Sequence, residues 1–311
     1  MIDNLFSATI LLGIVSSGIR LATPYLYAAL GETLGQLSGV LNLGVEGIML
    51  MGAFASFYVV YVTGNPWLGL LAAVLIGAAL GLAMAFVSVT LRAEQGISGI
   101  GFYLFGLGMS SLLFTKTLST VRSVTGFAPL HIPILSDLPI LGDLLFRNNV
   151  LVFGAYGMIL IGWFVLEKTV WGVKIKAAGQ NPAAADSLGV SVTLVRYGTV
   201  TFGGIMSGIA GASLSIGLLN IFQQNLTAGL GFIAVALVYF GGWSPWGILA
   251  GSLLFSTVNA LQNWFQVLNI AIAPELSTVL PYIMAILALT FNVRKVGQPA
   301  ALTKPFERGE S

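Results

Sequence analysis

Cysteine is absent from this chain, and histidine occurs once, at His131. A disulfide framework and a thiolate metal site are therefore excluded, as is a zinc site built on paired histidines. Charge is scarce too. Only 8% of the 311 residues are Asp, Glu, Lys or Arg, against about 25% in ordinary soluble domains. So few charges cannot cover a water-facing surface with polar groups. No lysine directly follows a glycine, so the Gly-x-x-x-x-Gly-Lys-Ser/Thr loop that cradles ATP phosphates is missing. A net charge of +2 is too small to argue for nucleic acid. No basic stretch precedes the first apolar run, so no cleavable signal peptide is read. No nucleophile–base pair supports an intramembrane enzyme, and no cofactor or metal is expected.

What is present is apolar. Hydrophobic residues make up 57% of the chain and glycine contributes 39 positions. Several runs exceed the roughly 18–20 apolar residues that a bilayer core requires. Apolar segments lie at 5–36, 40–62, 66–91, 97–118, 148–167, 195–219, 224–241, 245–266 and 275–292. Helix is the default for each, because backbone groups in lipid must be satisfied within the segment. The expected fold is an all-α integral membrane protein with about nine transmembrane helices, or eight if one pass is re-entrant. Arg20 interrupts the first segment, so 5–19 either spans or lies at the interface. Residues 1–311 read as a single membrane domain.

Basic residues set the orientation. One alternation of the spans groups Arg92, Lys168, Lys174, Lys176, Arg196, Arg294, Lys295, Lys304 and Arg308 on one side and Arg20, Lys116, Arg122 and Arg147 on the other. The richer side is assigned to the cytoplasm. It holds a loop at 168–194 and a tail at 293–311. The stretch 294–308 is expected at the anionic inner leaflet. The longest outer loop is 119–147.

An internal repeat is visible. Gly44-Val45-Glu46-Gly47 opens a span that ends near Asn65-Pro66-Trp67, and Gly229-Leu230-Gly231-Phe232 opens one that ends near Ser244-Pro245-Trp246. On the assigned topology the two copies are inverted. Inverted repeats with broken helices near the bilayer midplane are a transporter signature. Pro-Trp pairs also mark ordinary interfacial turns, where tryptophan favours that depth.

Two polar interruptions flank these landmarks. The first is Ser38-Gly39-Val40-Leu41-Asn42-Leu43-Gly44-Val45-Glu46-Gly47. A glutamate beside a span is costly unless it faces protein or water. Glu46 and Asn42 are thus candidates for the substrate path. Glu46 equally suits a helix N-terminus, where the dipole favours an anion. Glu32 is a weaker candidate. The second interruption is Gln223-Gln224-Asn225-Leu226-Thr227-Ala228-Gly229-Leu230-Gly231-Phe232. Here Asn225 and Thr227 offer hydrogen bonds to a polar solute, and Phe232 offers a ring to stack on. A polar loop that merely caps the next helix is the plainer reading. Phe102 and Tyr103 open another span with only a generic aromatic case.

The loop at 168–194 encodes a short helix of its own. Asn181 suits the N-cap and Pro182 the first helical position. Ala183, Ala184 and Ala185 favour helix, Asp186, Ser187 and Leu188 follow, and Gly189 supplies the stop. A small, orderly helix isolated between two spans fits a partner's groove better than a connector requires.

These motifs carry a resemblance. Gly39 through Gly47, Gly179-Gln180-Asn181-Pro182 through Gly189, and Gly229 through Leu237 resemble the permease subunits of bacterial ATP-driven (ABC) importers for nucleosides, simple sugars and branched-chain amino acids. The similarity runs over about 20–292. It is greatest to the shorter permease of nucleoside importers, whose first motif reads Asn-Leu-Gly-x-Glu-Gly. Sugar permeases typically have Asp-Leu-Ser-x-Gly there. The resemblance implies a multi-pass protein of the bacterial inner membrane that imports nucleosides by alternating access. It implies three partners: a cytoplasmic ATPase with two nucleotide sites, a second homologous permease forming a heterodimer, and an extracellular substrate-binding lipoprotein. Membrane lipid surrounds the chain. The helix at Asn181–Gly189 maps onto the element that docks on the ATPase. Leu230 stands where relatives often have arginine. A gradient-driven secondary transporter, with Glu32 and Glu46 as relays, is the alternative outside this class.

Overall fold

The computed structural model describes residues 8–133, 136, 138, 142–267 and 297–307. Among these the architecture is all-helical: α1 (Ala8–Leu37), α2 (Val45–Thr63), α3 (Pro66–Ala85), α4 (Gln95–Thr117), α5 (Val150–Lys168), α6 (Val170–Gln180), α7 (Pro182–Ser187), α8 (Val192–Ala212), α9 (Leu230–Phe240) and α10 (Pro245–Val267). π-helical turns extend α3 over Phe86–Thr90 and α8 over Ser213–Leu218. Such turns are rare and tend to mark functional regions.

Among the described residues six helices are long and apolar enough to cross a membrane: Ile10–Leu37, Val45–Thr63, Pro66–Thr90, Gln95–Thr117, Val150–Lys168 and Val192–Leu218. Helix α9 has 11 residues, a length of about 16 Å, roughly half a bilayer core. It starts later than the apolar run at 224–241 because the chain before it is broken. Helix α10 has the length, with 23 residues, but its Asn259, Gln262 and Asn263 dilute its hydropathy. The segment expected at 275–292 lies outside the described residues. Arg20 does not divide the first segment. Helix α1 runs through it, and the exposed guanidinium donates to Ser16 Oγ at 2.9 Å.

Helix α8 is the hub. It packs on α1, α2 and α3 through glycines, which let backbones approach where no side chain intervenes. A methyl group added at Gly77 of α3 would sit 2.4 Å from the Gly204 carbonyl oxygen. One added at Gly52 of α2 would sit 2.6 Å from Gly208 Cα. Helix α4 leans on α2 in the same way, since a methyl at Gly106 would lie 2.3 Å from the Gly47 carbonyl oxygen.

Loops gather at two ends of the bundle. At one end Arg122 donates to Tyr61, Phe127 packs edge-on against Trp67, and Val124 N–H donates to the Asn220 carbonyl at 3.0 Å. At the other end Arg92 pairs with Glu307, and Ala301 N–H donates to the Gly179 carbonyl at 2.9 Å. The loop that carries α7 and the described part of the tail thus share one side.

One feature of that side differs from the sequence reading. The loop at 168–194 holds an additional helix, α6, capped by Thr169 Oγ1 accepting from Gly172 N–H. Its apolar Val170, Trp171 and Val173 are exposed, so it carried no buried-face signal. Residues 297–307 form a further contact on that side. They fold back on the protein, with Ala301 and Leu302 buried. On the same side Arg92 pairs with Glu307, and Arg196 donates to the Lys304 carbonyl.

Candidate functional site: the junction of the two chain breaks

Helix α1 stops at a glycine. Gly39 has φ +96, and Val40 N–H reaches back to the Gly35 carbonyl at 3.0 Å while Gly39 N–H donates to Gln36 O at 2.9 Å. This pair of bonds closes a helix C-terminus once the chain turns left-handed. From Ser38 to Gly44 the backbone is then irregular inside a membrane bundle. Such backbone survives only if protein satisfies its polar groups. Leu41 N–H donates to Gln95 Oε1 at 2.8 Å, Asn42 N–H to Glu32 Oε1 at 3.0 Å, and Gly44 N–H to Asn42 Oδ1 at 2.9 Å. Glu32 also accepts from Gln36 Nε2 at 2.9 Å, and Gln36 Oε1 accepts from Trp243 Nε1 at 2.9 Å. A buried polar chain thus links α1, the break and the turn after α9.

The second break lies between the π turn at Ser213–Leu218 and α9. Its backbone is strained, with positive φ at Asn220, Asn225 and Ala228. The left-handed region suits asparagine but costs an alanine about 1 kcal/mol.

Glu46 joins the two. It sits in the first turn of α2 and is 1% exposed. Its Oε1 accepts from Thr227 Oγ1 at 2.5 Å and from Gly229 N–H at 2.7 Å, and its Oε2 accepts from Gly231 N–H at 2.6 Å. One carboxylate therefore lies between the N-termini of α2 and α9. Both helix dipoles favour negative charge there, and the free N–H groups of α9 find their partner. Gly231 must be glycine, since a methyl there would lie 2.6 Å from Glu46 Cα.

Of the residues singled out from the sequence, the structure unites Glu46 with Thr227. Asn42 is 3% exposed and builds the turn before α2. Phe232 is half-buried beside this junction and meets Tyr103 of α4 edge-on, with ring centroids 5.0 Å apart. Asn225 is exposed on the second break, next to Gln224, whose Nε2 donates to Thr115 Oγ1 of α4 at 3.2 Å. Gln95, Gln36 and Trp243 were missed. The hint was Glu32 and Gln36, four residues apart on one face of an apolar helix.

Asn181, Pro182, Ala183, Ala184, Ala185, Asp186, Ser187, Leu188 and Gly189 form a separate feature about α7. Asn181 Oδ1 accepts from Ala184 N–H at 3.0 Å, and Pro182 is the first helical residue. Gly189, at φ +84, ends the helix. Ala185 is buried against the protein, whereas Ala183, Ala184, Ser187 and Leu188 are exposed, Leu188 by 84%.

Residues 14–289 match the family described as branched-chain amino acid transport system / permease component. The chain belongs to this permease family. It is 35% identical to the putative glucose ABC transporter permease protein TsgC13 of Haloferax volcanii, over 95% of this chain and 98% of that relative. It is 33% identical to the guanosine ABC transporter permease protein NupQ of Bacillus subtilis, over 96% of this permease and 97% of NupQ. A second guanosine permease of the same bacterium, NupP, is 26% identical over 77% of this permease and 71% of its own length. No solved structure matches. The permease is a multi-pass membrane protein, in keeping with the six apolar helices among the described residues.

Proposed function

We propose that this permease is the membrane subunit of an ATP-driven nucleoside importer. Solute passes beside the junction of the two breaks, and α7 docks on a cytoplasmic ATPase chain with two nucleotide sites. The observation that carries the driven mechanism is the exposed, capped α7. A six-residue helix with an asparagine cap, a proline start, a glycine stop and an outward face of small residues has the shape of a plug. The remaining partners are a second homologous permease and an extracellular binding lipoprotein. NupQ and NupP, two guanosine permeases from one bacterium, support a heterodimer.

Nucleoside as solute is supported by Asn42-Leu43-Gly44-Val45-Glu46-Gly47, by NupQ and NupP, and by the half-buried Tyr103–Phe232 pair, which offers ring faces to a base. Stacking of a base on an aromatic ring contributes about 1–3 kcal/mol. TsgC13 favours a second reading, a sugar. Alternating access about inverted halves is supported by two helix N-termini that converge on Glu46 from opposite halves of the chain. Uptake of labelled guanosine and of glucose into proteoliposomes holding the full complex tests this. Guanosine uptake that requires ATP and is blocked by Ala184→Glu supports the reading. Uptake driven by an ion gradient without ATPase refutes it, and glucose uptake alone moves the solute to the sugar class.

A further inference from the structure

We propose that residues 297–307 form a strap that carries the motion of α7 to the break at 38–44, with Arg196 as a positioning residue that pins the strap. This rests on the reading that α7 docks on the ATPase.

Within five residues the strap holds both elements. Ala301 N–H donates to the Gly179 carbonyl at 2.9 Å, and Ala300 N–H reaches Gln180 Oε1 at 3.5 Å, directly before the Asn181 cap of α7. Thr303 N–H donates to the Gly39 carbonyl at 3.1 Å, at the start of the break. Arg196 closes the joint, its Nε donating to Ser38 O and its Nη1 to Lys304 O, each at 3.0 Å. At the far end Glu307 pairs with Arg92, beyond the π turn of α3. The root of α7 also abuts the end of α1 directly, since a methyl at Gly179 would lie 2.1 Å from the Leu37 carbonyl oxygen.

Arg196 marks this as more than a tidy chain end. It is 1% exposed, and no carboxylate lies within ion-pair distance of it among the described residues. Burying a charge without a counter-charge is costly. The guanidinium bonds the break and the strap and nothing else in the way of charge. Among the described residues its Nη2 has no hydrogen-bond partner. That spare donor faces Gly39, where a methyl would sit 2.7 Å from Nη2 and 3.1 Å from the Ala301 carbonyl oxygen. A joint with one unused donor beside two neighbouring backbones can exchange partners as the strap shifts. Two arrangements of one joint are what a transmitting element requires.

Two variants of the full complex in proteoliposomes test the strap: Arg196→Lys, which keeps charge but loses the fork, and truncation after residue 296. Both should hydrolyse ATP at near wild-type rate. Solute moved per ATP, read with labelled guanosine or glucose, whichever the wild type imports, should fall by roughly fivefold or more, the low end of allosteric coupling. Unchanged solute per ATP in Arg196→Lys overturns the proposal. Because the chain has no cysteine, spin labels at Ser187→Cys and Lys304→Cys, both exposed, give an independent readout. Their separation should hold when ATP is trapped. A change of more than about 5 Å, one helical turn, shows that the strap does not travel with α7 and also overturns it. Failure of the docking reading has its own signature: Ala184→Glu would then leave the ATPase bound.

Discussion

Replacing Glu46 by glutamine is the sharpest test of the junction. The carboxylate accepts three hydrogen bonds on two oxygens, with Gly231 N–H alone on Oε2. An amide has one acceptor oxygen and presents N–H to whatever faced the other. If it keeps Thr227 and Gly229, it points a donor at the Gly231 N–H. A buried donor left unsatisfied costs about 1–3 kcal/mol. The surviving bonds lose their charge assistance, worth roughly another 1 kcal/mol. The α9 N-terminus loses its anion, a further 0.3–1 kcal/mol or so. The sum is about 3 kcal/mol, which corresponds to a fall of roughly 6–12 °C in Tm at the slope of mid-sized domains. The assay is retention of the monodisperse peak on size-exclusion chromatography after heating in detergent. Thr227→Val should couple to it, with a double-mutant interaction of about 1 kcal/mol or more, because the two groups touch. A Tm change below about 2 °C for Glu46→Gln, or strict additivity with Thr227→Val, refutes the latch. Unchanged Tm with altered solute preference would instead make Glu46 a solute contact.

Further outcomes follow from single contacts. Gly106→Ala should lose folded protein on solubilisation, since its methyl would lie 2.3 Å from the Gly47 carbonyl oxygen, whereas Gly108→Ala meets nothing within 4 Å and should raise stability by about 0.5–1 kcal/mol through helix propensity. Thermal unfolding of the pair reads both signs. Trp243→Phe removes the donor to Gln36 Oε1 and should cost about 1–3 kcal/mol, while Trp246→Phe, at an exposed site, should stay within about 0.5 kcal/mol of wild type. Glu94 caps α4 by accepting from Ile97 and Gly96 N–H, and these bonds hold its carboxyl below the usual glutamate range. A depressed folded-state value means that the cap contributes fully above the ordinary glutamate pKa and is lost as pH falls through the lowered one. Hydrogen exchange at Gly96 and Ile97, compared with Glu94→Ala, should therefore converge with the variant at acid pH and separate near neutrality.

The cap and stop of α7 were legible because they are local: Asn181, Pro182 and Gly189 each act within four residues of their partners. The two breaks were legible from polar residues in apolar runs. Glu46 was legible as an anomaly, but its partners lie more than 180 residues away, and helices that are apolar all round carry no period that states which face meets which. The Gln36–Trp243 bond spans the chain in the same manner. The strap was hidden for a different reason. Its bonds are mostly backbone to backbone, a language that side-chain identity does not write. Arg196 looked like one more cation that fixes topology, and only its burial beside carbonyls shows otherwise.

The glycine contacts of α8 limit what can move. Two helices that meet through side chains can re-sort rotamers and slide, like teeth on a rack. Where Gly77 and Gly204 or Gly52 and Gly208 press main chain on main chain, there are no teeth to re-sort. The trio α2, α3 and α8 therefore forms a keel, to which α1 and α9 are pressed in the same way at Gly31–Gly203 and Gly231–Glu46, and any rocking of this permease pivots farther out, where α5 meets α1 through the side chains of Leu30 and Tyr27.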